Sequence, residues 1–111
     1  MIKKTSCFDT DLSDGRLTVT IHGEIDHHGA VAMRADIDKI ICEQRPDCLV
    51  IDLSGVEFMD SSGLGLIMGR YSLMSKLGGG TVLRNPNASI AKILKLAGMD
   101  RIIKTERTGK V

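Results

Sequence analysis

The sequence predicts a small α/β domain in which helices pack on a mixed β-sheet, in the order β-β-α-β-α-β-α-β. Two strand signals favour this class. Residues 16–23, "RLTVTIHG", alternate apolar and polar side chains, whereas residues 48–53, "CLVIDL", form a continuous apolar run. Segments with helical spacing follow both, and strand–helix alternation implies parallel strands joined by right-handed crossovers. We expect a single domain over residues 1–111, because this length leaves no room for a second one.

The N-terminal part predicts a β-hairpin. Residues 2–12 have a mixed pattern that we interpret as an edge strand, and "SDG" at 13–15 is a turn signal. The returning strand has three apolar residues on one face, Leu17, Val19 and Ile21. We expect that face to be buried. "GEIDHHG" at 23–29 is interpreted as a polar loop, in which Asp26 is a candidate helix N-cap.

The first helix is predicted from apolar residues that recur at helical spacing. These residues are Ala30, Met33, Ile37, Ile40 and Ile41. The charged residues expected to face water are Arg34, Asp36, Asp38 and Lys39. Pro46 ends the segment, because the residue before a proline disfavours helical geometry. The apolar run that follows suits a central strand covered on both faces, and residues 54–60 are interpreted as a connection.

A second helix is predicted from about Ser62 to Lys76, and "LGGG" at 77–80 ends it. Its expected apolar face consists of Leu64, Ile67, Met68, Tyr71 and Met74. "TVLR" at 81–84 predicts another short strand. The second helix therefore lies between two strands of the sheet, as the α/β class requires.

The C-terminal part predicts a third helix, which Asn87 caps and Gly98 closes. Its apolar face is expected to contain Ile90, Ile93, Leu94 and Ala97. "RIIKTE" at 101–106 is interpreted as a last short strand.

Composition argues against several classes of function. The net charge is +1, with 15 basic and 14 acidic residues, so there is no electrostatic footprint for nucleic acid or an anionic membrane. No apolar run approaches the roughly 20 residues that a membrane-spanning helix needs. The N-terminus also lacks the apolar segment of a signal peptide. We therefore expect a cytoplasmic protein with no nucleic-acid partner and no membrane partner.

Metal and cofactor sites are not expected either. Cys7, Cys42 and Cys48 are odd in number and form no C-x-x-C motif, which argues against both a disulfide framework and a zinc site. His27 and His28 are adjacent, so on a helix they would point about 100° apart and would not readily share one metal. We expect no cofactor.

The candidate functional motif is "FMDSSGLG" at residues 58–65, at the predicted start of the second helix. A nucleophilic serine is one interpretation, although D-S-S-G departs from the G-x-S-x-G elbow and the histidines lie upstream. A phosphate-binding loop is another. Gly63, Gly65 and Gly69 are spaced one residue too widely for G-x-G-x-x-G, however, and no G-K-[S/T] is present.

Two further interpretations of the serines are compatible with each other. Asp60 or Ser61 could simply cap the helix. A serine in the first helical turn could also be a phosphate acceptor, because a helix N-terminus tolerates the added charge of about −1.5 to −2. Such a modification would change docking and leave folding unaffected. The residues alone leave the four interpretations open.

Two motifs resemble a known family. "GEIDHH" at 23–28 and "FMDSSGLGLIMGRY" at 58–71 are similar to the anti-sigma factor antagonist family, the STAS domain, and the resemblance covers residues 15 to about 105. "DHH" and "GRY" favour its sporulation branch over its general-stress branch. The resemblance implies a STAS-type mixed sheet with an N-terminal hairpin and three or four helices. The family usually adds a C-terminal helix, which we expect to be absent or rudimentary because "TERTGKV" has almost no apolar face.

The resemblance also implies a mechanism. In this family the second serine of D-S-S-G, here Ser62, is phosphorylated by a partner that is both anti-sigma factor and serine kinase. The unphosphorylated protein binds that partner, so a sporulation sigma factor is released. The phosphorylated protein lets go, and a PP2C-type phosphatase restores it. The protein is then a regulator and not an enzyme.

The family's partner contacts fall on two segments of this chain. The acidic loop after the second strand corresponds to Glu24 and Asp26. The residues of the serine motif expected to bind or present to the partner are Met59, Asp60, Ser61, Gly63 and Gly65. Three alternative functions remain: an antagonist of the general-stress anti-sigma factor, a STAS module that senses a nucleotide or small molecule, and a hydrolase.

Overall fold

A five-stranded mixed sheet carries three helices in a computed structural model that describes residues 7–108. The elements are β1 (Cys7–Ser13), β2 (Arg16–Ile25), α1 (His27–Gln44), β3 (Cys48–Met59), α2 (Ser61–Lys76), β4 (Gly80–Arg84), α3 (Ala88–Leu96), a 3-10 turn (Met99–Arg101) and β5 (Lys104–Glu106). The strands lie side by side in chain order. β1 is antiparallel to β2, and the other neighbouring pairs are parallel. The predicted class and element order are confirmed.

The predictions for the first strand and for the C-terminal helix can be compared with the structure only in part. Residues 2–6 of the predicted first strand lie outside the described residues. After β5, residues 107 and 108 are not helical, and the rest of "TERTGKV" lies outside the described residues.

The N-terminal hairpin turns through two residues with left-handed backbone. Ser13 pairs with Arg16, and between them Asp14 and Gly15 have φ of 53° and 78°. Positive φ at both central positions is the geometry that matches the twist of a two-residue hairpin, and Asp-Gly is a preferred sequence for it. The turn predicted at "SDG" is confirmed.

The core lies where β3 passes through the centre of the sheet. Leu49, Val50 and Ile51 are consecutive, and none is more than 3% exposed. Since neighbouring residues of a strand point to opposite faces, both faces of β3 are covered here, as predicted. On β2, by contrast, Leu17, Val19 and Ile21 are buried while the residues between them are partly exposed, which confirms the alternating pattern.

Strands β2 and β3 extend further than the sequence pattern predicts. Residues 23–25 belong to β2 and not to a loop, and residues 54–59 belong to β3 and not to a connection. Two irregularities in the ladder between these strands interrupt the apolar alternation. Each gives β3 one residue more than β2, so the sequence pattern suggests a loop although the strand pairing continues.

The first irregularity is stabilised by local contacts. The Asp52 carboxylate accepts a hydrogen bond from the backbone N–H of Ser54 at 2.9 Å. Gly55 then lies so close to β2 that a Cβ would be 3.1 Å from the carbonyl oxygen of Ile21. The absence of a side chain at residue 55 therefore allows the ladder to resume and to carry β3 on to Met59.

Each helix begins at a side-chain cap. Asp26, Asp60 and Asn87 are the N-caps of α1, α2 and α3, and each accepts a backbone N–H from the first turn. These three caps include both predicted ones, Asp26 and Asn87. For α2, the two candidates Asp60 and Ser61 resolve to Asp60. Because Asp26 caps directly, α1 begins at His27, earlier than the apolar pattern indicates.

The buried face of α2 differs from the predicted one. Leu66 and Arg70 are buried, whereas Leu64, Met68 and Tyr71 are only partly buried. Buried Ile67 and Met74 agree with the prediction. The apolar pattern could not place an arginine in the core, so the predicted face was rotated towards the larger apolar residues.

Arg70 is buried because Asp38 of α1 supplies a counter-charge. Its Nε lies 2.6 Å from the Asp38 carboxylate, and its Nη1 donates to the Leu66 carbonyl oxygen at 3.2 Å. Burial lowers the pKa of the Arg70 guanidinium, and the Asp38 charge opposes that shift. The prediction that Asp38 simply faces water is wrong, because this carboxylate ties α1 to α2.

Candidate functional site

The site lies where β2 and β3 end side by side. Ile25 pairs with Met59, and a single aspartate follows each of them before the next helix begins. Asp26 accepts from the backbone N–H of Gly29 at 2.8 Å, and Asp60 accepts from that of Ser62 at 2.8 Å. The N-termini of α1 and α2 are therefore held at the same edge of the sheet, with their positive dipole ends together.

A groove of about 140 Å³ runs between α1 and α2. Its lining is His27, Ala30, Val31, Arg34, Ser62, Gly65 and Leu66. The groove thus combines apolar contacts with a hydroxyl, a guanidinium and an imidazole. Such a lining can accept a protruding side chain or an anionic group.

The two serines have different environments. Ser62 is partly buried, lines the groove and has its backbone N–H held by Asp60. Ser61 is exposed and is not part of the groove lining. The hydroxyl with defined neighbours is therefore that of Ser62.

The glycines of the motif have separate roles. Gly63 is buried, and a Cβ there would overlap the side chain of Met59. Gly65 is exposed, and a Cβ there would meet no atom within 4 Å. Gly63 therefore permits close packing against a neighbouring element of the domain, and because it is buried, its predicted contact with a partner is not supported by its position. Gly65 leaves open space beside the groove, and its contact with a partner stays a prediction.

The structure also corrects the prediction for Met59. This residue is 2% exposed and belongs to the core, so it presents no side chain to a partner. The reason is that β3 continues through residue 59, and strand alternation turns Met59 inward while Phe58, at 51% exposure, points outward. The predicted loop would have left both side chains free.

The predicted acidic residues share the edge that carries the serine motif. Glu24 is exposed at the end of β2, where it pairs in register with Phe58. Asp26 is exposed as well, although one of its carboxylate oxygens caps α1. The strand pairing therefore brings both acids close to the start of α2.

Sequence reasoning missed two groove residues, His27 and Arg34. Both lie on α1, where Arg34 was expected only to face water. A signal was present, since His27, Ala30 and Arg34 follow the i, i+3, i+7 spacing that places residues on one helix face. What the pattern could not show is which neighbouring helix that face would meet.

Two other features are absent from residues 7–108. Within this range, no three histidine, cysteine, aspartate or glutamate side chains are grouped so as to hold a metal ion. None of the helices in the same range has the length and hydropathy required to cross a bilayer.

Comparison with known proteins identifies the fold and the family. The STAS domain family matches residues 8–110. The anti-sigma F factor antagonist of Paenibacillus polymyxa is 36% identical over 89 residues, which cover 80% of this chain and 76% of that protein. The anti-sigma-B factor antagonist of Bacillus subtilis is 33% identical over 95 residues, or 86% of this chain and 85% of that protein.

Solved structures agree with this assignment. The anti-sigma factor antagonist SpoIIAA in its unphosphorylated form superposes with a TM-score of 0.82 at 26% identity, covering 94% of this chain and 90% of that one. The phosphorylated form of SpoIIAA from Bacillus gives a TM-score of 0.75 at 26% identity, with 94% and 93% covered. From the family match and the fold together, the chain belongs to the STAS domain family, as the resemblance of its two motifs indicated.

Proposed function

We propose that this protein is an anti-sigma factor antagonist whose binding is switched by phosphorylation of Ser62. The observation that carries the proposal is the position of Ser62, the second residue of α2, in a groove lined by both helices. Two relatives, which are 36% and 33% identical to it over 89 and 95 aligned residues, are named anti-sigma factor antagonists. SpoIIAA, which has the same fold, is known in unphosphorylated and phosphorylated forms.

The proposed cycle has three steps. The unphosphorylated protein binds an anti-sigma factor that is also a serine kinase, and a sigma factor is released. The kinase then phosphorylates Ser62, which adds about −1.5 to −2 charges at the docking surface. The antagonist dissociates, and a PP2C-type phosphatase restores it. The protein acts as binding partner and kinase substrate, and its own residues catalyse no step.

The proposed docking surface surrounds the start of α2. Asp60 and Ser61 flank the acceptor, and Gly65 leaves room for a partner's backbone or side chain. Glu24 and Asp26 add negative charge at the same edge of the sheet. A partner arginine could pair with either carboxylate through charge-assisted hydrogen bonds.

We further propose that the partner is the sporulation type of anti-sigma factor. The "DHH" and "GRY" segments favour it, and the antagonist from Paenibacillus polymyxa is named for sigma F. A general-stress anti-sigma factor is the second candidate, because the similar protein of Bacillus subtilis is named for sigma B. Parallel binding measurements with the two anti-sigma factors distinguish these candidates, and tighter binding to the general-stress factor would reverse the assignment.

The decisive experiment is mass spectrometry of the intact protein, with site mapping, after incubation with the anti-sigma kinase and ATP. We expect one phosphate on Ser62. A phosphate on Ser61 would preserve the switch and overturn the residue assignment. No phosphate, with a kinase that modifies another antagonist in parallel, would overturn the proposal.

A further inference from the structure

We propose that a phosphate on Ser62 is bound within the same molecule by Arg34, so that phosphorylation fills the groove between α1 and α2. This inference rests on the proposed function and specifies what happens at the acceptor after modification. Arg34 then acts as an internal counter-charge to the phosphate. The groove is open in the unphosphorylated protein and filled in the phosphorylated protein.

The placement of the two residues supports this pairing. Arg34 comes from α1 and Ser62 from α2, and both line the same groove of about 140 Å³. Such a volume holds several water molecules, so a phosphate group fits without moving either helix. The two walls are fixed relative to each other by the Asp38–Arg70 ion pair, which spans the same two helices.

Arg34 is also available for a new partner. It is exposed, and among residues 7–108 it makes no hydrogen bond or ion pair. The nearby carboxylate of Asp38 is already engaged by Arg70. The positive charge of Arg34 is close enough to contribute to the lowered pKa of the Arg70 guanidinium, so two cations lie near that one carboxylate.

The chemistry of the groove matches a phosphate. A guanidinium offers a planar fork of N–H donors that binds two phosphate oxygens at once. The imidazole of His27 lines the same groove and supplies another N–H. Asp60 acts in the opposite direction, because its carboxylate is hydrogen-bonded to the backbone of Ser62 and repels a second anion. Arg34 is therefore the group that makes the doubly charged phosphate favourable here.

The test uses protein with phosphoserine incorporated at position 62 during translation, which requires no kinase. The second pKa of the phosphate is measured by ³¹P NMR as a function of pH. We expect Arg34→Gln to raise that pKa by about half a unit or more, because an adjacent cation favours the dianion. Arg34→Lys keeps the charge without the planar fork, so its pKa should lie between those of the parent and Arg34→Gln.

Two matched controls separate a specific contact from a general field effect. Lys39→Gln removes an equally charged, exposed side chain from the same helix but outside the groove lining, and it should leave the phosphate pKa unchanged. Phosphoserine placed at position 61 should titrate independently of Arg34. A pKa unaffected by Arg34→Gln, or equally affected by Lys39→Gln, would overturn the inference.

The two proposals fail in different ways. If the kinase does not phosphorylate Ser62, the proposed function fails while the titration with incorporated phosphoserine still reports on Arg34. If the kinase does phosphorylate Ser62 but the titration shows no dependence on Arg34, the proposed function stands and the internal contact is refuted.

Discussion

Gly63 lies directly against Met59, whose side chain fills the space that a Cβ at residue 63 would need. The last residue of β3 is thereby packed under the first turn of α2. Ile25, the last residue of β2, also lies within 3.3 Å of that Cβ position. The strand ends and the start of α2 form one packed unit, so the presentation of Ser62 depends on a contact that is not on the surface.

We expect Gly63→Ala to destabilise the fold by about 1–3 kcal/mol, because the added methyl group overpacks a buried site. Gly65→Ala is the matched control in the same helix. It should stabilise by about 0.5–1 kcal/mol, since alanine favours an exposed helical position and a Cβ there meets no atom within 4 Å. Urea denaturation of both variants measures the difference, and equal stabilities would contradict the packing role of Gly63.

The ion pair between Asp38 and Arg70 predicts a second effect on stability. Asp38→Ala leaves the Arg70 guanidinium, 6% exposed, without its counter-charge. We expect a loss of about 2 kcal/mol, below the usual range for a fully buried pair because the Asp38 side chain is 35% exposed. Asp36→Ala, an exposed change on the same helix, should stay within about 0.5 kcal/mol of the parent. Thermal and chemical unfolding of the two variants would show the contrast, and similar losses would refute it.

The charge switch predicts different affinities for two variants at position 62. Ser62→Ala cannot take a phosphate and should keep binding the anti-sigma factor in the presence of ATP. Ser62→Asp should bind at least about tenfold more weakly, a loss of roughly 1.4 kcal/mol. Isothermal titration calorimetry measures both. Ser61→Asp controls for a charge added outside the groove, and equal affinity of the two position-62 variants would contradict the switch.

Asp26 combines a structural and a proposed binding role, which two substitutions can separate. Asparagine caps a helix as well as aspartate does, so Asp26→Asn should keep the stability of the domain while removing the charge. Asp26→Ala should lose both the charge and about 1 kcal/mol of stability. Weaker binding by Asp26→Asn at unchanged melting temperature is the expected result. Binding by Asp26→Asn at the parent's affinity would show that its charge makes no contribution.

Much of the fold could be predicted from the sequence, because its strongest sequence signals, the turn and the helix caps, are local. The Asp14–Gly15 turn and the caps at Asp26 and Asn87 depend on residues within a few positions of one another. The extension of β3 to Met59 was not accessible, because the irregularities opposite β2 hide the strand period from residue 52 onwards. The apolar periodicity shows where the alternation of apolar and polar residues stops, but it does not distinguish a β-bulge from a loop.

The candidate site could be predicted only in part from the sequence, for a related reason. The serine motif and its capping aspartate are contiguous, and they were found. Arg34, His27 and the Asp38–Arg70 pair arise from the contact between α1 and α2, which no single helix encodes. Arg70 lies four residues after Leu66 and four before Met74, which is the spacing of one helix face, but the predicted face did not include it, because its counter-ion lies 32 residues away in the chain.

The short connections between strands and helices at the site affect the free energy of association with a partner. A single residue, Asp26, connects β2 to α1, and a single residue, Asp60, connects β3 to α2. Both groove walls therefore continue from hydrogen-bonded strands, and no flexible loop of the site has to become ordered when a partner docks. Little backbone conformational entropy is then lost on binding, and even a small contact area can give useful affinity.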